Sequence, residues 1–320
     1  MLMAICHSAE NGWAEVEDLD RVSDLRAEPG TLLWAETDVS TLTDDDVRVI
    51  AEEFDLHPLA VEDAVNVRQR PKIESYENHI FVVFDQLDRV DDQLEATQIA
   101  CFIGDKYVLT LHAGASRSIE EAKARWARAQ QELGQGPAYL LHTLMDSVVD
   151  DYQQIADELE ARVEELEDLV LTHPAVPVSR QLYSVKQKIS RLRRYALPVA
   201  RILDDVKSHD RIPGDAFIHF QDVHDHTLRI GDQIRNADDL SQAVLDLTRA
   251  EQANALNEVT KRLTGWAAVI AVPTFIASVY GMNFHLFPAD GETFGFWFAL
   301  TLMTVSATSL YLYLKRREWI

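Results

Sequence analysis

Apolar side chains recur along the chain with three spacings, and each predicts a different kind of element. Two runs near the C-terminus are apolar without interruption by charge: LTGWAAVIAVPTFIASVYG from Leu263 to Gly281, and FGFWFALTLMTVSATSLYLYL from Phe294 to Leu314. A helix of the first length rises roughly 28 Å, enough to cross the hydrocarbon core of a bilayer. Upstream, short β-rich runs predict strands at Thr31–Thr37, Ile80–Leu87, Gln98–Ile103 and Tyr107–Leu111, the last two joined by a Gly104-Asp105-Lys106 turn. Helical spacing predicts Thr43–Phe54, with Asp44, Asp45 and Asp46 in a first turn where carboxylates suit the helix dipole. His57-Pro58 opens a short helix with proline at its first position, and Gln69-Arg70-Pro71 closes that segment.

After Ser116 the strand signals stop. Helices are predicted at Ile119–Leu133, at Ala138–Leu171 and, past a Pro174/Pro177 break, at Ser179–Lys207. Pro213-Gly214 then start the longest element. Phe220, Val223, Thr227, Ile230, Ile234 and Ala237 step by three and four, which is coiled-coil spacing. If that helix runs on to Gly281 it is roughly 100 Å long, a length natural for a stalk entering a membrane. The resulting organisation is a 1–116 α/β head, a 117–212 helical arm and a 213–262 stalk helix. A first span at 263–281, a loop at 282–293, a second span at 294–314 and a basic tail at 315–320 complete it. The fold class is α+β, with a long helical stalk and two C-terminal transmembrane helices.

Charge sharpens this division. The 320 residues carry 53 acidic and 30 basic side chains, a formal net charge of -23. From Leu263 onward acids and bases balance, so the whole excess lies earlier. Such acidity speaks against a nucleic-acid partner, which requires a basic footprint. Lys261 and Arg262 precede the first span and Lys315–Arg317 follow the second, while the loop between carries only Asp290 and Glu292. The positive-inside rule then puts both termini in the cytoplasm and the loop outside, in a multi-pass protein of the cell membrane. Trp297, Tyr311, Tyr313 and Trp319 suit interfacial positions. The N-terminus shows no secretory signal, and Cys6 and Cys101 are too few for a disulfide framework or a thiolate metal site.

The first span has one face unlike the rest. Asn257, Thr260, Thr264, Ala267, Ala271, Thr274, Ser278 and Gly281 form a polar or small stripe at three- and four-residue steps. Close helix packing also selects small residues, and the two uses are compatible. A single hairpin encloses no lumen, so a pore built on this stripe requires a ring of subunits. The stripe runs straight into Gly281-Met282-Asn283.

A GMN tripeptide at the outer end of the first span of a C-terminal hairpin resembles the CorA family of magnesium channels. His57-Pro58-Leu59-Ala60-Val61-Glu62-Asp63 with Gln69-Arg70-Pro71-Lys72-Ile73-Glu74 is similar to that family's head signature. Phe220-Gln221-Asp222-Val223 with Asp225-His226-Thr227 is similar to its stalk signature. The likeness runs from about Thr31 to the last residue. It implies a homopentameric funnel in which the first span lines the pore and Gly281, Met282 and Asn283 form the ion-selecting ring. It also implies regulation by Mg2+ bound between neighbouring heads at Asp63, with Glu62 beside it, and Asp222. The implied cargo is Mg2+, with Co2+ or Ni2+ as further candidates; Mg2+ dehydrates reluctantly, and amide and carbonyl oxygens can take hydrogen bonds from its water shell without stripping it. No organic cofactor is implied, and the partners are other copies of the chain, membrane lipid and divalent cations.

The chain departs from the family at several positions. Thr260 and Ala271 stand where bulky methionines are common, so a hydrophobic gate is expected mainly at Leu263. His224 replaces a stalk tyrosine. His219, Asp222 and His226 share a helix face and form an alternative site for a softer metal such as Zn2+, which keeps a zinc transporter of the ZntB branch open. Surface histidines on an acidic helix give the same spacing. A membrane-anchored metal sensor or scaffold is the reading from another class, although an inert anchor has no use for a polar stripe. No Gly-rich phosphate loop, HExxH or GxSxG occurs, so no enzyme is expected.

Overall fold

A computed structural model describes residues 3–8, 12–16, 22–28, 30–67, 69–126, 136–173, 176–214, 216–282 and 292–320. The strands are β1 (Met3–Ser8), β2 (Gly12–Val16), β3 (Leu32–Asp38), β4 (Lys72–Ser75), β5 (Ile80–Val90), β6 (Gln93–Ile103) and β7 (Tyr107–His112). The helices are α1 (Val22–Ala27), α2 (Asp44–Glu53), α3 (Pro58–Val65), α4 (Arg117–Trp126), α5 (Pro137–Thr172), α6 (Ser179–Lys207), α7 (Phe217–Tyr280) and α8 (Glu292–Arg316). The chain separates into two units. One comprises Met1–Leu171 and Pro177–Ala243; the other comprises Thr172–Val176 and Val244–Ile320.

In the first unit the strands form one sheet in the order β2-β1-β3-β7-β6-β5-β4, with only the β3–β7 pair parallel. One face packs Leu33, Ala35, Phe81, Val83 and Phe102 against Ile50 of α2, Phe54 at its C-terminal end, and Ala60 and Ala64 of α3. The other face meets α4 and α5. Trp34 lies edge-on to Trp126 at 5.0 Å, and the Tyr152 hydroxyl donates to the Asp85 carbonyl. Helices on both faces explain why the central strands read as nearly continuous apolar runs.

Local chemistry fixes the elements that carry the head signature. Thr43 and Asp46 form a reciprocal capping box at the start of α2, which gives the acidic triplet a structural use. His57 caps α3 through Nδ1, which accepts from the Leu59 amide at 3.3 Å, and Pro58 occupies the first turn. On α7 the coiled-coil positions Phe220, Val223, Thr227, Ile230, Ile234 and Ala237 are all buried.

Differences from the sequence reading have physical causes. β1, β2 and β4 were not expected. β4 is a half-buried edge strand, Lys-Ile-Glu-Ser, in which two charges hide the alternation. β5 and β6 extend to a two-residue turn at Asp91-Asp92, both with positive φ. Their polar ends are the solvent-facing part of a hairpin. α4 is described only to Trp126, so the rest of the expected helix to Leu133 lies outside the described residues.

In the second unit α7 and α8 each hold a window long and apolar enough to cross a membrane, with 6% and 11% of it buried. The core helices of a soluble protein would instead be largely covered. α7 continues through Pro273 without a break.

Candidate ion pathway and regulatory carboxylates

The second unit gives α7 two different faces. Gly265 is buried, and a Cβ placed on it would stand 2.8 Å from Ile320. Ala268, Val269, Val272 and Ile276 follow on the same half-covered side. Trp266 meets Tyr311 of α8 with ring centroids 6.0 Å apart. At 100° per residue the stripe lies on roughly the opposite side of the helix. Asn257, Thr260, Leu263, Thr264, Ala267, Ala271, Thr274 and Ser278 are all exposed there.

The hydroxyls on this stripe are committed in one direction. Thr260, Thr264 and Thr274 donate to the carbonyls of Leu256, Thr260 and Ile270 at 2.9, 2.8 and 2.8 Å. With the proton used inside the helix, each oxygen presents only lone pairs outward. Such a row accepts hydrogen bonds from water, including water bound to a cation.

At the end of the stripe α7 stops at Tyr280. The Gly281 amide still donates to Ala277 at 2.9 Å, and its backbone is not in the left-handed region, so it does not form the glycine cap its position suggests. Met282 is 53% exposed. Asn283 and Asp290 lie outside the described residues.

The carboxylates of the head stand in different surroundings. Asp63 on α3 is engaged at both oxygens. Lys72 Nζ lies 2.5 Å from Oδ2, and Gln69 Nε2 donates to Oδ1 at 2.9 Å. Lys72 also reaches Glu74 Oε1 at 2.7 Å, and the Tyr76 hydroxyl donates to Glu74 Oε2 at 2.9 Å. Glu62 is exposed on the same helix. Asp222 on α7 is 71% exposed and lies 3.8 Å from His226 Nε2. Within one chain no hydrogen bond or ion pair joins Asp63 to Asp222. Both are hard oxygen donors, the kind Mg2+ takes; Asp222 is open to solvent and Asp63 only partly so.

The histidine face divides. His219 turns its ring to His142 on α5, at 5.2 Å between centroids, while His226 keeps to Asp222. Burial, with His219 nearby, holds His142 below the ordinary imidazole range against the pull of Asp146. His224, in the tyrosine position, is buried against Asp204 at 3.2 Å. Among the described residues no three His, Cys, Asp or Glu side chains are gathered to hold a metal ion.

Sequence reasoning passed over Lys72 as a partner of Asp63. The Lys72-Ile73-Glu74 alternation was the available signal, because strand residues two apart share a face. It also passed over two buried groups in the sheet. Burial pushes Asp85 up to about 7 despite Arg194, and pushes His79 down to about 4, helped by the nearby Arg211 guanidinium.

A family model described as CorA-like Mg2+ transporter protein matches residues 31–316. The cobalt/magnesium transport protein CorA of Thermotoga maritima is 30% identical over 281 residues, spanning 86% of this chain and 80% of that one. The zinc transport protein ZntB of Pectobacterium carotovorum is less similar, 24% identical over 240 residues, or 72% of this chain and 69% of that one. The solved CorA magnesium transporter from Methanocaldococcus jannaschii superposes with a TM-score of 0.84 at 18% identity over 99% of each chain. It shares the fold: a soluble α+β head, a long helix and two C-terminal apolar helices.

Proposed function

The chain belongs to the family of CorA-like Mg2+ transporters, and on that premise we propose how it moves a divalent cation across a membrane. Five copies surround an axis with the exposed face of α7 turned inward. Asn257, Thr260, Thr264, Ala267, Ala271, Thr274 and Ser278 line the path, and Leu263 narrows it. The threonine oxygens accept hydrogen bonds from the cation's water shell. Gly281, Met282 and Asn283 close the outer end, where the Asn283 amide oxygen selects a hydrated ion. Mg2+ is the main cargo, and Co2+ or Ni2+ pass by the same contacts. Likeness to the zinc transporter is weaker, so zinc is the lesser reading.

Both termini lie in the cytoplasm, from the basic flanks of the spans. The head regulates the path. Asp63, with Glu62 beside it, faces Asp222 of the neighbouring copy, and a bound Mg2+ screens their repulsion. Losing that screening loosens the interface and favours opening. The proposal calls for no organic cofactor and no nucleic acid.

The observation that carries this reading is the stripe, left uncovered on the side of α7 away from α8. Asn283→Ala should abolish or strongly reduce Mg2+ uptake into proteoliposomes while the oligomer stays assembled. Wild-type uptake by that variant would remove Asn283 from the path.

A further inference from the structure

We infer that Lys72 is a built-in counter-ion that competes with the regulatory divalent cation for Asp63, and that Glu74 is where its ammonium goes when the cation binds. The inference rests on the reading of Asp63 as a regulatory ligand.

The geometry is that of a shared charge. Lys72 Nζ stands 2.5 Å from Asp63 Oδ2 and 2.7 Å from Glu74 Oε1. One ammonium therefore holds two carboxylates, one on α3 and one on its own strand. Lys72 and Glu74 project from the same face of β4, and β4 is the edge of the sheet, so the side chain can shift along the strand without breaking a ladder. Glu74 is steadied by the Tyr76 hydroxyl on its other oxygen, which keeps it in place as a second acceptor. The ammonium also lies 5.6 Å from the centroid of the Phe81 ring, a further contact that does not depend on Asp63.

The exposure of the pair suits exchange. Lys72 and Asp63 are 26% and 29% exposed. A fully buried pair would resist separation, and a fully exposed pair would be too weak to compete. With donors on both Asp63 oxygens, a cation reaching this carboxylate competes directly with the ammonium. The site then fills at a cation concentration set by how strongly Lys72 prefers Asp63 over Glu74.

Two substitutions should move that concentration in opposite directions. Lys72→Met removes the competitor and leaves two carboxylates facing one another without a cation, so less Mg2+ is needed. Glu74→Gln keeps an acceptor oxygen but removes the negative charge that draws Lys72 away from Asp63, so more is needed. Lys72→Arg keeps the competing charge and should stay near wild type.

The test is Mg2+-dependent protection of the full-length, lipid-reconstituted protein against limited proteolysis, titrated with MgCl2 at constant ionic strength. The midpoint should fall roughly fivefold in Lys72→Met and rise roughly twofold in Glu74→Gln, the range expected of a partly exposed pair. Asp63→Asn is run beside them. If Asp63→Asn weakens protection while Lys72→Met leaves the midpoint unchanged or raised, the counter-ion role is overturned and the regulatory reading stands. If Asp63→Asn protects like wild type, the regulatory reading falls and the inference falls with it. Should Lys72→Met fail to fold, Glu74→Gln decides, and an unchanged or lowered midpoint there overturns the inference.

Discussion

The two units treat the same kinds of side chain in opposite ways. In the first, Phe81, Phe84 and Phe102 are fully buried, and polar groups find partners far away in sequence. Thr110, for example, accepts from Trp34 Nε1 at 3.1 Å and donates to the Ala35 carbonyl at 3.3 Å. In the second, Phe275 is 71% exposed and Leu263 70%. Thr260, Thr264, Thr274, Thr301 and Thr304 all donate to the carbonyl one turn back on their own helix. The difference follows from the surroundings. Thr143 and Thr227 on helices of the first unit bond back in the same way, so it is exposure that separates the units: a bilayer solvates apolar side chains that water drives inward. Apolar exposure along two long helices marks the second unit as suited to lipid.

The largest expected effect contrasts a covered aromatic with an uncovered one. Trp34→Ala removes a buried ring, its edge contact with Trp126 and its hydrogen bond to Thr110. It should lower the stability of the head by about 3–5 kcal/mol. Phe275→Ala removes a ring that is largely exposed in its own chain and should leave head unfolding unchanged. Denaturant titration of the reconstituted protein, followed by head fluorescence, compares them. Equal losses would mean that the units do not differ as their burial suggests.

How much of this was legible in the sequence depended on whether a pattern was local. α6 was read with its bounds intact because a 3.6-residue repeat sits between a double-proline break and Pro213. The stripe on α7 was legible for the same reason, as a repeat of small and polar residues on one helix face. β4 escaped because its alternation is carried by Lys72 and Glu74 rather than by apolar residues. Asp63 and Asp222 were singled out only through resemblance to a family, since acidic residues abound in this chain. The Lys72–Asp63 pair spans a helix end and a strand start, and the His142–His219 contact joins α5 to α7. No local spacing encodes either one, because the sheet and the helix packing bring them together.

Titration offers a second contrast, confined to the head. Asp85 keeps its proton up to about 7, whereas an unfolded carboxyl releases it near 3.9, roughly. Raising pH through that window therefore destabilises the fold by about 1.4 kcal/mol per pH unit. His79 resists protonation down to about 4, while an unfolded imidazole gains its proton near 6.5, roughly. Lowering pH through that window destabilises with the same slope. The two contributions oppose and largely cancel across the overlap. Asp85→Asn should leave only the histidine slope, so that melting temperature falls as pH drops towards 4. His79→Gln should leave only the carboxyl slope, so that it falls as pH rises towards 7. Melting curves of the two variants running parallel to wild type would show that neither group titrates as its burial requires.

A smaller effect tests the covered side of α7. A Cβ at Gly265 would lie 2.8 Å from Ile320 Cγ1 and 3.3 Å from the Trp319 carbonyl oxygen. Gly265→Val should push the C-terminal residues away and lower stability by about 1–3 kcal/mol, as overpacking does. Gly265→Val in a chain truncated after Glu318 should recover most of that loss. If truncation recovers nothing, the tail does not pack on Gly265.

The smallest expected change in stability carries the most information about the stripe. Thr264→Val keeps the shape of the side chain and removes the oxygen. The hydroxyl proton already goes to the Thr260 carbonyl at 2.8 Å, so the helix loses one internal bond and the outward face loses one acceptor. Thr304 on α8 makes the same bond, to Leu300 at 2.8 Å, away from the stripe. Thr304→Val therefore supplies the matched control. If the stripe is a wall of acceptors for a hydrated cation, Thr264→Val should slow Mg2+ flux severalfold while Thr304→Val leaves it at the wild-type rate. Both should assemble and melt within about 0.5 kcal/mol of wild type. If the stripe is only a seam of small residues between helices, an isosteric methyl fits it as well as a hydroxyl, and Thr264→Val would conduct like wild type. Flux separates the two uses of the stripe because shape is held constant and only the lone pairs are removed.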